Sequence, residues 1–235
     1  MSSAHLQIVH YLLKYSHKKK IFLVDFGCGD GYLVNFLPKN RLKKYVGLDI
    51  NLNSIRTAKL KFKNDKTYCY KHLTRGTTDY FLKYSSLDAI ILVGVLQYLT
   101  PKEIKLLFSQ AKLALAPNGL LILSCASDHF LYKCFNAYNL ISPHQFISKS
   151  MVTRLFHTSG LEILEATEKG LLFTPIFSNI LAVFFDSIDF LLCRKKGSLG
   201  LFGRLGRKLM EPVIRWEYHL PINFGYTLFI VGKVK

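Results

Sequence analysis

The sequence predicts an α/β fold built on a doubly wound, mostly parallel sheet with helices on both faces. Two patterns predict it. Short apolar runs, IFLVDF at 21–26, YVGLDI at 45–50, LDAIILVGVL at 87–96 and LLILSCA at 120–126, are continuous rather than alternating, as strands covered on both faces require. Between them lie stretches of helical period, first Ile55, Ala58, Leu60 and Phe62, then Ile104, Leu107, Phe108, Ala111 and Leu115. Strands alternating with helices imply a parallel sheet entered by right-handed crossovers. At 235 residues and 50% hydrophobic composition, the chain can bury one sizeable core. A single domain over 1–235 is expected, with its core in 20–170 and 221–235 and an insertion at 171–220.

Taken in order, residues 4–16 place Leu6, Val9, Leu12 and Leu13 on one stripe, a short amphipathic helix that covers a sheet edge or the mouth of a site. The first strand follows, and Asp25 sits where it emerges from the sheet. Gly27, Gly29 and Gly31 then let the backbone turn and approach a ligand with no Cβ in the way. Tyr32 to Leu37 can wind as a helix closed by Pro38, so strand, glycine turn and helix N-terminus form a ligand site. After the second strand, Asn51 or Asn53 caps a helix whose outer face is lysine-rich. TYCYKHL at 67–73 has the β-formers of a third strand, and 87–96 is the fourth. Thr100 caps and Pro101 opens the next helix; Pro117, Asn118 and Gly119 turn the chain into a fifth strand at 120–126.

The glycine spacing narrows the ligand. A dinucleotide fingerprint is GxGxxG, whereas Tyr32 stands where its third glycine would be, and no lysine completes a P-loop. DFGCGDG instead resembles the first motif of class I S-adenosylmethionine-dependent methyltransferases. In that family the loop passes under the methionine half of the cofactor, and an acidic residue ending the next strand binds the ribose hydroxyls. Asp49 occupies that place, about 20 residues beyond the loop. The resemblance continues. LDAIILVGVLQYL is similar to the family's FDxVxxxxVLxHL, AKLALAPNGLLILS to its LKPGGxLLI with Asn118 in place of the first glycine, HQFISKSMVTRLFHTSGLEILEA to its late helix and sixth strand, and GYTLFIVGKVK to its closing antiparallel strand.

The resemblance implies a Rossmann-like seven-stranded sheet, antiparallel only at the last strand, with a helical insertion before it. It implies S-adenosyl-L-methionine as cofactor, held by Asp25, Gly27, Cys28, Gly29, Gly31, Asp49, Ile50, Gly94 and Gln97. The sequence departs from the family after the third strand, where an acidic residue usually takes the adenine amino group. His72, Leu73 and Thr74 stand there, which leaves adenine to backbone, to Asp79 or to apolar contact with Ile50.

Methyl transfer from a sulfonium is an in-line displacement that needs alignment, a dry pocket and a proton acceptor. His144, in SPHQFIS before the late helix, is the first candidate base, and His129, after the fifth strand, the second. A histidine that only caps or lines that helix is the plain alternative for His144. Tyr32 and Tyr98 could wall the pocket. The five cysteines, Cys28, Cys69, Cys125, Cys134 and Cys193, have no CxxC spacing or nearby histidine pair, so they read as reduced core thiols and no metal site is expected.

Residues 171–193, LLFTPIFSNILAVFFDSIDFLLC, are long enough to span a bilayer, but Asp186 and Asp189 would be costly at its centre. A helix with a polar seam of Asn179, Ala182, Asp186, Asp189 and Cys193 fits better. Arg194, Lys195, Lys196, Arg204, Arg207, Lys208 and Arg215 follow, against Glu211 and Glu217. Two uses stay open for 171–220: contact with an anionic membrane surface, or a lid packed on the sheet or on a twin subunit. The net charge of +17 suits membrane, acidic substrate or nucleic acid, although scattered lysines on solvated helix faces also explain much of it. No RNP-like pattern or zinc knuckle supports nucleic acid. The first twenty residues lack a secretory apolar core and cleavage site, so a cytoplasmic protein is expected, peripheral on the inner face of a membrane if the insertion docks there. The expected activity is methyl transfer to an apolar small-molecule or lipid-linked acceptor. A non-catalytic docking module of the same fold and an RNA methyltransferase are the alternatives, and the oligomeric state is open.

Overall fold

The computed structural model describes residues 2–74, 79, 81, 83–129, 145–171, 173–176, 184, 187, 188 and 201–235. The polar seam at Asn179, Ala182, Asp186, Asp189 and Cys193, and the cations Arg194 to Lys196, lie outside them.

Seven strands, β1 (Ile21–Phe26), β2 (Leu42–Asp49), β3 (Tyr68–His72), β4 (Leu87–Val93), β5 (Leu115–Ala126), β6 (Leu161–Lys169) and β7 (Thr227–Val234), form one sheet in the order β3-β2-β1-β4-β5-β7-β6. Pairings among β1 to β5 are parallel, and β7 runs antiparallel to both β5 and β6. The order reverses between β1 and β4, and ligands of open α/β sheets collect at such a switch, beyond the carboxyl ends of the strands.

Alternate residues of each strand enter separate cores. Ile90, Leu92, Leu121, Leu123 and Ile230 pack with helices α3 (Pro101–Ala114) and α4 (Lys149–Thr158) through Leu107, Phe108, Val152 and Phe156. Ala89, Ile91, Ile122, Phe229 and Val231 pack with α1 (Ser2–Tyr15), α2 (Leu52–Lys61) and α6 (Leu201–His219) through Ile8, Leu12, Ile55, Ala58, Ile214 and Tyr218. Thr100 accepts from the Glu103 amide while the Glu103 carboxylate accepts from the Thr100 amide, the reciprocal cap that Pro101 and the local sequence encode. For α2 the cap is Asn51, whose Oδ1 accepts from the Asn53 and Ser54 amides.

Three expectations are corrected. Tyr32–Phe36 forms a 3-10 turn, not an α-helix, because Leu37 before Pro38 is held extended (ψ 132) and leaves too few residues to propagate. The fifth strand starts at Leu115 rather than 120: Leu115 pairs with Leu87 and Leu120 with Ala89, so residues 116–119 bulge out, with Asn118 at φ 60. Helix α1 packs across β5, β4 and β7 instead of covering an edge, and reaches the segment after the glycine loop through His5 against Tyr32 and Phe36.

Within the insertion, α5 (Phe173–Ile176) is tied to α6 by Glu217. Its buried carboxylate accepts from the Phe173 amide (2.8 Å), the Thr174 amide (3.0 Å) and the Thr174 hydroxyl (2.7 Å). Among the described residues no helix is long and apolar enough to cross a membrane.

Candidate active site

The glycine loop leaves β1 at the carboxyl edge and crosses the end of β2, where the Gly27 and Cys28 amides both donate to Leu48 O (2.7 and 3.1 Å). Gly27, Gly29 and Gly31 all have positive φ, and each serves a different purpose. A Cβ on Gly27 would lie 2.3 Å from Val95, and one on Gly31 would lie 2.6 Å from the Tyr70 hydroxyl, so these two let the loop close onto its neighbours. A Cβ on Gly29 meets nothing within 4 Å, and the same holds for Gly94 at the end of β4. Open backbone at these two positions forms a cradle on either side of the switch point.

Asp49, the last residue of β2, faces this cradle. One carboxylate oxygen accepts from the Gly29 amide (2.8 Å) and the other from the Asn51 amide (2.7 Å). The carboxylate thus braces the loop and starts α2, and each oxygen retains a lone pair for a hydroxyl donor. On the loop's outer side Lys61 pairs with Asp30. Ile50 follows, with its side chain exposed, and its carbonyl accepts from His72 Nε2–H (3.1 Å). Asp79 is exposed, and its neighbours 75–78 and 80 lie outside the described residues.

Asp25 and Cys28 place their side chains beneath the cradle. Asp25 is 2% exposed and accepts from the Tyr45 hydroxyl at 2.6 Å. Burial pushes its carboxyl up to about 7 against the lowering effect of that hydrogen bond, and the charge of Asp49 adds to the rise. The Cys28 sulfur packs near Gly47, where burial keeps it a neutral thiol, so only the Cys28 backbone borders the cradle. Gln97 ties the end of β5 to the segment before α4: its Oε1 accepts from the Ala126 amide (3.3 Å) and its carbonyl from the Gln145 amide (3.0 Å).

Further along the edge, His129 Nε2 lies 2.9 Å from Glu168 at the end of β6, and its ring packs on Phe224 with centroids 4.2 Å apart. Glu168 is 6% exposed, also accepts from the Ser127 hydroxyl (3.1 Å), and is fixed at its backbone by its amide donating to Asn223 Oδ1 (2.8 Å). Sequence reading missed Glu168, because its approach to His129 depends on β7 lying between β5 and β6. His144 lies outside the described residues. Among the described residues no three His, Cys, Asp or Glu side chains converge as a metal site.

This strand order, the glycine loop and the carboxylate ending β2 define a Rossmann-like class I methyltransferase fold. Residues 24–121 match the model of a family described as Methyltransferase domain. Over residues 24–121 the chain is similar to methyltransferase domains, and the open glycine cradle with Asp49 fits S-adenosylmethionine. Similar solved structures include an S-adenosylmethionine-dependent methyltransferase from Mesorhizobium loti (14% identity, TM-score 0.62, covering 98% of this chain and 97% of that one). The N-methyltransferase NodS from Bradyrhizobium japonicum WM9, in complex with S-adenosyl-L-homocysteine, shares 15% identity at a TM-score of 0.60, covering 99% and 86%. Magnesium protoporphyrin IX methyltransferase from Synechocystis PCC 6803 shares 14% at 0.60, covering 99% and 84%. No curated protein sequence matches the chain.

Proposed function

We propose that the protein methylates an apolar small-molecule or lipid-linked acceptor, with His129 as the proton acceptor. The pairing of His129 with the buried Glu168, beside the exposed ring of Phe224, carries this reading. The backbone at Gly29 and Gly94, with Asp49 at the ribose end, would hold the cofactor, and the exposed Ile50 side chain is suited to cover adenine. The bound cofactor supplies an electrophilic methyl group on a sulfonium. Glu168 accepts from His129 Nε2–H, which fixes the tautomer and makes Nδ1 the basic nitrogen. His129 Nδ1 would take the proton that the acceptor gives up on methylation, and Glu168 would hold the ring in place. Phe224 and Tyr98 offer exposed apolar faces to a substrate.

In the test, protein and methyl-labelled cofactor are incubated with separated lipid, metabolite and RNA fractions of the host. Label is expected in the lipid or apolar metabolite fraction; label in RNA alone refutes the acceptor class, and no label with cofactor binding intact points to a non-catalytic module. On the labelled fraction, His129→Gln should lower turnover by about 10² to 10⁴ with cofactor affinity unchanged. Glu168→Gln should lower kcat by a smaller factor, about tenfold, at constant KM for the cofactor, because it removes only the orienting charge. Full turnover in His129→Gln would exclude it as the base.

A further inference from the structure

Helix α6 carries a face that the described residues leave uncovered. Leu205, Leu209, Pro212 and Trp216 recur at i, i+4, i+7 and i+11, which places them on one stripe, and Leu205, Leu209 and Trp216 are 51%, 66% and 59% exposed. The helix cannot roll to hide them. Its opposite face is committed to the core through Ile214 and Tyr218, and the Tyr218 hydroxyl is hydrogen-bonded to that of Thr227 (3.0 Å).

The charges are sorted as well. Lys208, Arg215 and His219 flank the apolar stripe and are exposed. Both carboxylates of the helix are engaged by the protein: Glu211 accepts from the Ser3 hydroxyl (2.8 Å) and Glu217 is buried against Phe173 and Thr174. The chain just before the helix adds Arg194, Lys195 and Lys196 in sequence, within a net charge of +17. An apolar stripe with cations beside it, and tryptophan near one end, matches a bilayer interface, where acyl chains take the stripe, lipid phosphates take the cations and the indole sits at headgroup depth.

We propose that the outer face of α6 docks the protein on an anionic membrane surface. The helix ends at the carboxyl edge of the sheet, where Lys169 Nζ donates to Leu220 O (2.9 Å), the edge that also carries His129 and Glu168. The docking would serve the apolar acceptor proposed above, but its observations are independent of that reading, and its test uses no methyl donor.

Trp216 is the chain's single tryptophan and reports directly on this face. Full-length protein is mixed with vesicles of phosphatidylcholine alone, or of three parts phosphatidylcholine to one part phosphatidylglycerol. Flotation and a blue shift of the emission are expected with the anionic vesicles only, and both should weaken as salt is raised. Leu205→Ser with Leu209→Ser should lower partitioning by roughly tenfold per residue, and Lys208→Glu with Arg215→Glu by at least about fivefold per residue. All four side chains are exposed, so thermal unfolding should be unchanged. Absence of flotation of the unsubstituted protein overturns the proposal, as does flotation unaffected by the leucine substitutions. A blue shift that grows with protein concentration in the absence of vesicles also overturns it, since a second copy would then be the occupant.

Discussion

An Asp49→Ala protein is expected to lose S-adenosylmethionine affinity by about two to four orders of magnitude in isothermal titration while still unfolding cooperatively. The magnitude follows from the bonds removed: two hydroxyls donating to a carboxylate contribute about 1.5–3 kcal/mol each. Asp49 also loses its contacts with the Gly29 and Asn51 amides, but these lie near solvent, where water can replace the carboxylate. The glycines provide a control that separates binding from folding. At Gly29 an added Cβ meets nothing within 4 Å and carries only the left-handed strain of φ 55, about 1–2 kcal/mol. Gly29→Ala should therefore impair cofactor binding with modest destabilisation, because the methyl fills the cradle. At Gly27 the same Cβ lies 2.3 Å from Val95, so Gly27→Ala should lower both affinity and the melting temperature. Wild-type affinity in Asp49→Ala would remove the site assignment.

How much of this was legible in the sequence depends on how far each feature reaches along the chain. The loop and Asp49 belong to one βαβ unit, so spacing alone placed them together, and the Gly29 amide does meet the Asp49 carboxylate. The parallel sheet was legible for the same reason, since continuous apolar runs and the Thr100 cap are local signals. Division of labour among the glycines was not, because Gly27 and Gly31 are fixed by Val95 and Tyr70, which the fold brings from elsewhere. Two local misreadings have local causes: Pro38 cuts short the segment after the loop, and Asn118 tolerates a positive φ that turns an apparent strand boundary into a bulge. The histidine–glutamate pair needed the order β5-β7-β6, which no pattern in LEILEATEK announces. The sequence places Asp25 where the first strand emerges from the sheet. In the structure Tyr45, on the adjacent strand β2, takes the carboxyl inward, because a strand in the middle of the sheet offers no solvent on either face.

That burial makes Asp25 a large contributor to the pH dependence of stability. In the unfolded chain its carboxyl titrates near the ordinary aspartate value, about 3.9, whereas burial pushes it up to about 7 in the fold. Between these values the folded protein binds the proton more tightly than the unfolded chain. Stability is therefore fully present below about pH 4, falls as pH rises toward 7, and levels off above that. A separation of about three units corresponds to about 4 kcal/mol across the window. Asp25→Asn keeps an oxygen to accept from Tyr45 and cannot ionise, so this part of the slope should vanish. The measurement is guanidinium unfolding of both proteins from pH 4 to pH 8, taking the difference so that all other titrating groups cancel. The variant should gain on the wild type steadily from pH 4 to 7, reach about 4 kcal/mol, and hold that advantage at pH 8. Parallel profiles would mean that the carboxyl ionises as readily in the fold as outside it, and would overturn the assignment of this slope to a side chain 2% exposed beside the Tyr45 hydroxyl.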